Sequence, residues 1–305
     1  MDLRQLNAVL AVVDHGGFSA AARALHTVQS NVSTHVARLE KELGVSLIDR
    51  ATGQVTEEGA VVVERARRIQ AELDALAADV ASVRDQVAGQ GRIGLIGTTA
   101  RWLVPALVET MAQRHPLVRV VVHDATTSAL TLQLESGAID MAVMTLPVAD
   151  HEVVTEPLFD EDRLMIVPSG HPFHGLESIT LADLDGQPLL VEPAGRPFRN
   201  QLDAIFAERG YELVAKAEVD GTRLMTSLAF EGFGAAIVPA SAIPIWLGGA
   251  WRTVPVEGLA GRSVGLGTRR QGLLSAPARA LRDVLRQVIA ERAAHQPGIH
   301  PVRDS

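Results

Sequence analysis

The stretch FSAAARALHTVQSNVSTHVARLEKELG, residues 18–44, decides how the N-terminal part of this chain folds. It predicts a short alanine-rich helix from Ala20 to Leu25 with Ser19 as its N-cap, and a tight turn at His26-Thr27. A longer helix then runs from Val28 to Leu43, with Thr27 as N-cap and Gly44 as its stop. On the longer helix Val28, Val32, Val36, Leu39 and Leu43 fall in one sector at about 100° per residue, and these residues are expected to face a core. The opposite sector is polar, centred on Ser30, Thr34 and Lys41 with Asn31, Ser33, Ala37 and Arg38 beside them. Short hydrogen-bonding groups near the N-terminus followed by cations suit a helix laid in the major groove: small polar groups read base edges, and cations hold phosphates. A polar face alone is usually only a solvated one, but the short-helix, turn, longer-helix context favours recognition. Gln29, Ser30, Ser33 and Thr34 are therefore expected at base edges and Arg38 and Lys41 on phosphates, with Asn31 and Arg50 as further DNA-contact residues.

Outward from this stretch, Leu3, Leu6, Leu10 and Val13 form the stripe of a preceding amphipathic helix, ended by His15-Gly16-Gly17. Downstream, residues 47–50 and 52–55 read as two short strands around a glycine turn, the wing of a winged helix-turn-helix. Thr56 then caps a helix with Glu57 and Glu58 in its first turn. From there Val62, Ala66, Ile69, Leu73, Leu76, Val80, Val83 and Val87 recur at intervals of four and three, the seam of a coiled coil. A homodimer is expected. Gly89-Gln90-Gly91 breaks this linker helix.

The rest alternates strand-like and helical runs: 92–96, 103–113, 118–122, 130–135 and 139–144, then 164–167, 189–191, 198–209, 214–219, 224–230 and 235–238. This rhythm predicts two α/β lobes with largely parallel sheets covered by helices, followed by a frayed polar tail after His295. In such sheets ligands sit outside the carboxyl ends of strands. Thr98-Thr99-Ala100, Thr126 and Thr222 occupy strand-to-helix turns, and with Arg199 they are the candidate effector contacts.

Composition narrows the function. The net charge is −8, and residues 1–59 hold Arg4, Arg23, Arg38, Lys41 and Arg50 against Asp2, Asp14, Glu40, Glu42, Asp49, Glu57 and Glu58. DNA contact must then be local, with modest affinity per half-site. With no cysteine, disulfides, thiolate metal sites and thiol-based redox sensing are excluded. No run of about 18 apolar residues predicts a membrane span, and Asp2 and Arg4 argue against an export signal, so a cytoplasmic location is expected. Gly-x-Ser-x-Gly, His-Glu-x-x-His and Walker motifs are absent, and Gly232-x-Gly234 lacks a third glycine; no enzyme, catalytic residue, cofactor or metal is expected. His171-Pro172-Phe173-His174 reads as a surface loop. A solute-binding protein is the other alternative, and the helix-turn-helix decides against it.

Over essentially its whole length the chain resembles the LysR-type transcriptional regulators. The resemblance is carried by residues 3–6 (LRQL), 18–26 (FSAAARALH), 28–33 (VQSNVS), 38–47 (RLEKELGVSL), Arg50 and 56–59 (TEEG), with echoes in 91–94, 115–116, 134–142, 171–172 and 231–239. It implies a winged helix-turn-helix over 1–59, a dimerising linker helix over 60–88 and a periplasmic-binding-protein-like effector domain over 92–305. Lobe I would be 92–161 plus 268–305 and lobe II 162–267, joined near Asp160–Arg163 and Ser263–Gly267, with the C-terminal helix returning to lobe I. It further implies dimers assembled into tetramers, double-stranded DNA bearing an interrupted palindrome, RNA polymerase as a partner, and a small, anionic effector. The wing lacks the basic residues such regulators usually carry there, and Ile48 stands where they usually have Phe.

Overall fold

The computed structural model describes residues 1–83 and 86–302. The chain divides into two compact units, one holding Met1–Asp85 and the other the bulk of Gln86–Ser305. Among the described residues no helix is long and apolar enough to cross a membrane.

The first unit opens with α1 (Leu3–Asp14), capped by a reciprocal pair in which the Asp2 carboxylate accepts from Gln5 N–H and the Gln5 side chain accepts from Asp2 N–H. Its buried face is Leu6, Ala8, Val9, Ala11 and Val12, whereas Leu3 is exposed and Leu10 and Val13 are half-buried. The predicted stripe is thus rotated and widened, because α1 packs on three other helices and its alanines permit close approach. Helix α2 (Phe18–Ala24) starts earlier than expected, with Gly17 rather than Ser19 at the N-cap; Gly17 has φ 144°, a conformation that favours glycine.

Helix α3 (Gln29–Leu43) buries Val32, Val36 and Leu39 and ends at Gly44 in a left-handed C-cap. Two expectations fail at its ends. Val28 is itself the N-cap, 60% exposed, and Leu43 is exposed, because the terminal turns extend beyond the small core. Thr27 does not cap the backbone; its hydroxyl accepts from the Asn31 side chain at 3.0 Å. The wing is one antiparallel bridge, Ile48 to Val55, instead of two strands. Its turn is organised by Asp49, whose carboxylate accepts from Ala51 N–H at 2.8 Å and Thr52 N–H at 3.3 Å; these bonds hold its pKa below the usual carboxylate value.

Helix α4 (Glu57–Ser82) is capped by Thr56, which accepts from Gly59 N–H at 2.9 Å. A Cβ at Gly59 would lie 2.1 Å from the Leu47 carbonyl oxygen, so only glycine lets the helix enter against the wing. Val63 and Ala66 join the core of this unit, while Ile69, Leu76, Val80 and Val83 are exposed and Leu73 is half-buried. The helix ends at Ser82, so Val87 is not part of it; Arg84 and Asp85 of the predicted linker lie outside the described residues.

The second unit has two lobes. The first begins β1 (Gly89–Leu95), α5 (Gly97–Arg114), β2 (Val118–Asp124), α6 (Thr127–Glu135), β3 (Met141–Thr145) and β4 (Val153–Glu161). The chain then crosses into β5 (Arg163–Pro168), β6 (Ile179–Thr180), β7 (Pro188–Val191), α7 (Pro197–Arg209), β8 (Val214–Glu218), α8 (Thr222–Phe230), β9 (Ala235–Pro239) and β10 (Trp251–Glu257). It returns through β11 (Arg262–Arg269), α9 (Ala276–Ala293) and β12 (Ile299–Pro301). The sheets have orders β12-β4-β11-β3-β1-β2 and β6-β10-β5-β9-β7-β8. Both are mixed rather than largely parallel, since the crossing strands β4, β5, β10 and β11 pair antiparallel with their neighbours.

Strand β11 pairs with β4 from Arg262 opposite Glu161 to Arg269 opposite Val153. It therefore belongs to the first sheet along its whole length, and the return crossing precedes Arg262, earlier than the boundary at 267. The tail is docked as far as Pro301: β12 pairs with β4, Ile299 is buried, and the Gln296 amide donates to the carbonyls of Ala240 and Ile243. These bonds are what sequence polarity alone could not reveal.

Candidate nucleic-acid interface and ligand junction

On α3, Gln29, Ser30, Asn31, Thr34, Arg38 and Lys41 are exposed, and Ser33 is half-buried. Hydrogen bonds fix several of these side chains. Gln29 Oε1 accepts from the Ser19 hydroxyl at 3.2 Å, which ties α3 to α2. Thr34 donates its hydroxyl to Ser30 C=O at 2.7 Å, so toward a base it offers an acceptor and a methyl group.

The acidic excess of this unit is largely spent internally. Glu40 accepts from Leu47 N–H at 2.9 Å and Ile48 N–H at 3.3 Å and pairs with Arg50 at 3.3 Å. Glu42 pairs with the N-terminal ammonium and Asp14 with Arg67, while Asp2 and Asp49 cap backbone. Arg38 and Lys41 form no ion pair among the described residues, so α3 presents two available cations despite the net acidity. Arg50 is partly neutralised by Glu40, which weakens its claim as a phosphate ligand.

In the second unit, Thr98, Thr99 and Ala100 lie in the first turn of α5, whose N-cap Ile96 supplies no side-chain cap. Ala100 packs into the first lobe's core. Thr98 is buried, and its hydroxyl accepts from Arg262 Nη2 at 2.8 Å. Arg262 donates through Nε to Glu161 Oε1 at 2.7 Å, and Glu161 Oε2 accepts from Ser241 N–H at 2.8 Å. Glu161, 1% exposed, thus joins the end of β4, the start of β11 and the short 3-10 helix after β9. The hydroxyls of Thr99 and Ser241 are buried without hydrogen-bond partners among the described residues. Across the lobes, Asp124 at the end of β2 pairs with Arg223 of α8 at 2.7 Å.

The other predicted ligand residues lie apart from Thr98. Thr126 is exposed, and its hydroxyl accepts from Ala129 N–H at 3.4 Å, the geometry of a helix cap. Thr222 and Arg199 converge on Glu192: the Thr222 hydroxyl donates to Glu192 Oε1 at 3.0 Å and Arg199 Nη1 to its carbonyl at 3.0 Å. Arg199 also bonds Asp203 at 2.9 Å and Glu218 at 3.1 Å, which raises its pKa. With its donors so committed, it is a pin between α7 and β8. Sequence reading missed Glu161, Arg163, Ser241 and Arg262; the one signal was a charged residue opening each of two apolar strands. Arg163 stacks its guanidinium on Phe198, 3.4 Å from the ring centroid, and burial pushes its pKa down to about 10.

Residues 3–60 match the model of the bacterial regulatory helix-turn-helix protein, lysR family, and residues 84–290 match the LysR substrate binding domain. The probable hydrogen peroxide-inducible genes activator of Mycobacterium leprae is 34% identical over 298 residues, 93% of each chain. The DNA-binding transcriptional dual regulator OxyR of Escherichia coli is 30% identical over 246 residues, 80% of this chain and 81% of that protein. Among solved structures, a full-length OxyR variant from Pseudomonas aeruginosa superposes with a TM-score of 0.76 over 100% of this chain and 99% of that one at 23% identity, a likeness of fold. Full-length CbnR complexed with its target DNA gives a TM-score of 0.67 at 25% identity, covering 94% of this chain and 100% of that one.

Proposed function

This chain belongs to the lysR family of DNA-binding transcriptional regulators with an effector-binding domain, and from that premise we propose how its own residues perform the two tasks. Helix α3 enters the major groove, with Gln29, Ser30, Asn31, Ser33 and Thr34 at base edges and Arg38 and Lys41 on phosphates. The observation that carries this is the exposed run of short polar groups followed by two cations without ion pairs among the described residues. Residues 1–59 are the DNA-binding domain, and α4 dimerises through Ile69, Leu73, Leu76 and Val80, an apolar stripe largely exposed in the single chain. Two recognition helices then meet successive grooves about 34 Å apart on an interrupted palindrome. Pairs of dimers would form the tetramer, in the cytoplasm.

The effector binds at the interlobe junction beside Thr98 and Thr99, and shifts transcription by binding one lobe arrangement more tightly than another. Several relatives are named hydrogen peroxide-inducible genes activators; a chain without cysteine has no thiol for an oxidant to modify, so we assign a reversibly bound small molecule. We assign no catalytic role.

Leu76→Asp tests the assembly: it is expected to give monomers by sedimentation and lower affinity for a palindromic site by about 100-fold, the loss of avidity when two sites no longer act as one. An unchanged dimer with unchanged affinity overturns the assignment.

A further inference from the structure

Resting on the reading of α3 as the helix that enters the major groove, we propose that Ser19, which lies outside α3, determines specificity by orienting the Gln29 amide so that Gln29 selects guanine over adenine. Gln29 is the first residue of α3, at the end of a recognition helix that reaches base edges. A glutamine free to turn suits adenine, whose N7 accepts from the amide nitrogen while its N6–H donates to the amide oxygen. Here that oxygen is engaged: the Ser19 hydroxyl donates to Gln29 Oε1 at 3.2 Å. Nε2 lies on the other branch of the planar amide and has no hydrogen-bond partner among the described residues, so its two hydrogens are directed away from Ser19. The setting of Ser19 favours this orientation over the flipped one. Helix α2 starts at Phe18 without a side-chain cap, which leaves N–H donors of its first turn close to Ser19, where an amide oxygen is better placed than an amino group.

The neighbouring polar groups are set the opposite way. Thr34 donates its hydroxyl to Ser30 C=O at 2.7 Å, and Asn31 Nδ2 donates to the Thr27 hydroxyl at 3.0 Å, so the Thr34 and Asn31 oxygens remain as acceptors. Gln29 therefore supplies donors at the start of a face whose other oriented groups offer acceptors. Guanine carries two acceptors, O6 and N7, and no donor on its major-groove edge. Adenine presents its N6 amino group in place of O6, donor against donor. In this arrangement Ser19 touches no base; it is a positioning residue that acts through Gln29.

The test is selection of binding sites from duplex DNA with a randomised central segment, using the full chain as wild type, Gln29→Ala, Ser33→Ala, Ser19→Ala and Ser19→Thr. Gln29→Ala marks the base pair that Gln29 reads, as the position at which preference is lost. Duplexes carrying guanine or adenine at that position are then titrated with each protein. The wild type is expected to favour guanine by about fivefold or more, the lower end of what one base contact discriminates. Ser19→Ala lets the amide turn over and should bring the ratio close to one, while Ser19→Thr keeps the hydroxyl and should restore it. The proposal is overturned if the wild type selects a base other than guanine there, if Ser19→Ala keeps the ratio or weakens both duplexes alike, or if Ser19→Thr behaves as the alanine variant does. Ser33→Ala separates this proposal from the reading beneath it. If Gln29→Ala alters no position while Ser33→Ala alters one, α3 remains the recognition helix and the role of Ser19 and Gln29 is lost; if neither alters any, the assignment of α3 falls as well.

Discussion

The exposed face of α3 and the interlobe junction are both built of hydroxyls, arginines and carboxylates, yet they spend them differently. On α3 the hydrogen bonds are local, Thr34 to Ser30 and Asn31 to Thr27, and the groups facing water remain exchangeable. At the junction Arg262 reaches Glu161 and Thr98, and Glu161 reaches Ser241, positions that lie far apart in the chain. A side chain on the first surface can change its ligand without changing the fold. A change to one in the second also disturbs the ties between strands.

The largest expected effect lies in the junction. Glu161→Gln keeps the shape and leaves the Arg262 charge buried and uncompensated, so unfolding stability should fall by about 3 kcal/mol, read from the urea midpoint. An unaltered midpoint would break the contrast. On α3, Ser33→Ala should leave that midpoint within about 0.5 kcal/mol and instead lose about 1–3 kcal/mol of specific DNA affinity, with preference relaxed at one base pair. Lys41→Ala should weaken binding to all sequences alike and lower the salt slope by about one unit in mobility-shift titrations.

The smallest effect sharpens the comparison from a different side. Asp140, at the entry to β3, has its pKa raised chiefly by burial, against the opposing bond from Arg92 N–H at 2.7 Å and the charges of Arg92 and Arg269. A carboxylate raised in this way contributes stability that is complete below its unfolded value of 3.8 and lost as pH rises through the folded value. Asp140→Asn should therefore unfold at a slightly higher temperature than the wild type at neutral pH, with the difference vanishing below about pH 3.8.

The three helices, the linker helix and the two α/β sets were legible because each is written in local periodicity and caps. Their ends were less so: Gly17 displaced Ser19 as a cap and Val28 displaced Thr27, since a cap is chosen by how the chain enters the turn. The mixed sheets and the docking of residues 296–301 depend on strand partners remote in sequence, which periodicity does not encode.

By itself the sequence determined which face of α3 is polar and exposed, because spacing along one helix places residues on one side of it. It also determined that no thiol can serve as a sensor. Only the tertiary structure decided the junction. Glu161, Arg163, Ser241 and Arg262 come from strands and a turn separated by up to about a hundred residues, and whether an arginine there is paired or free depends on which carboxylate the crossing strands bring within reach.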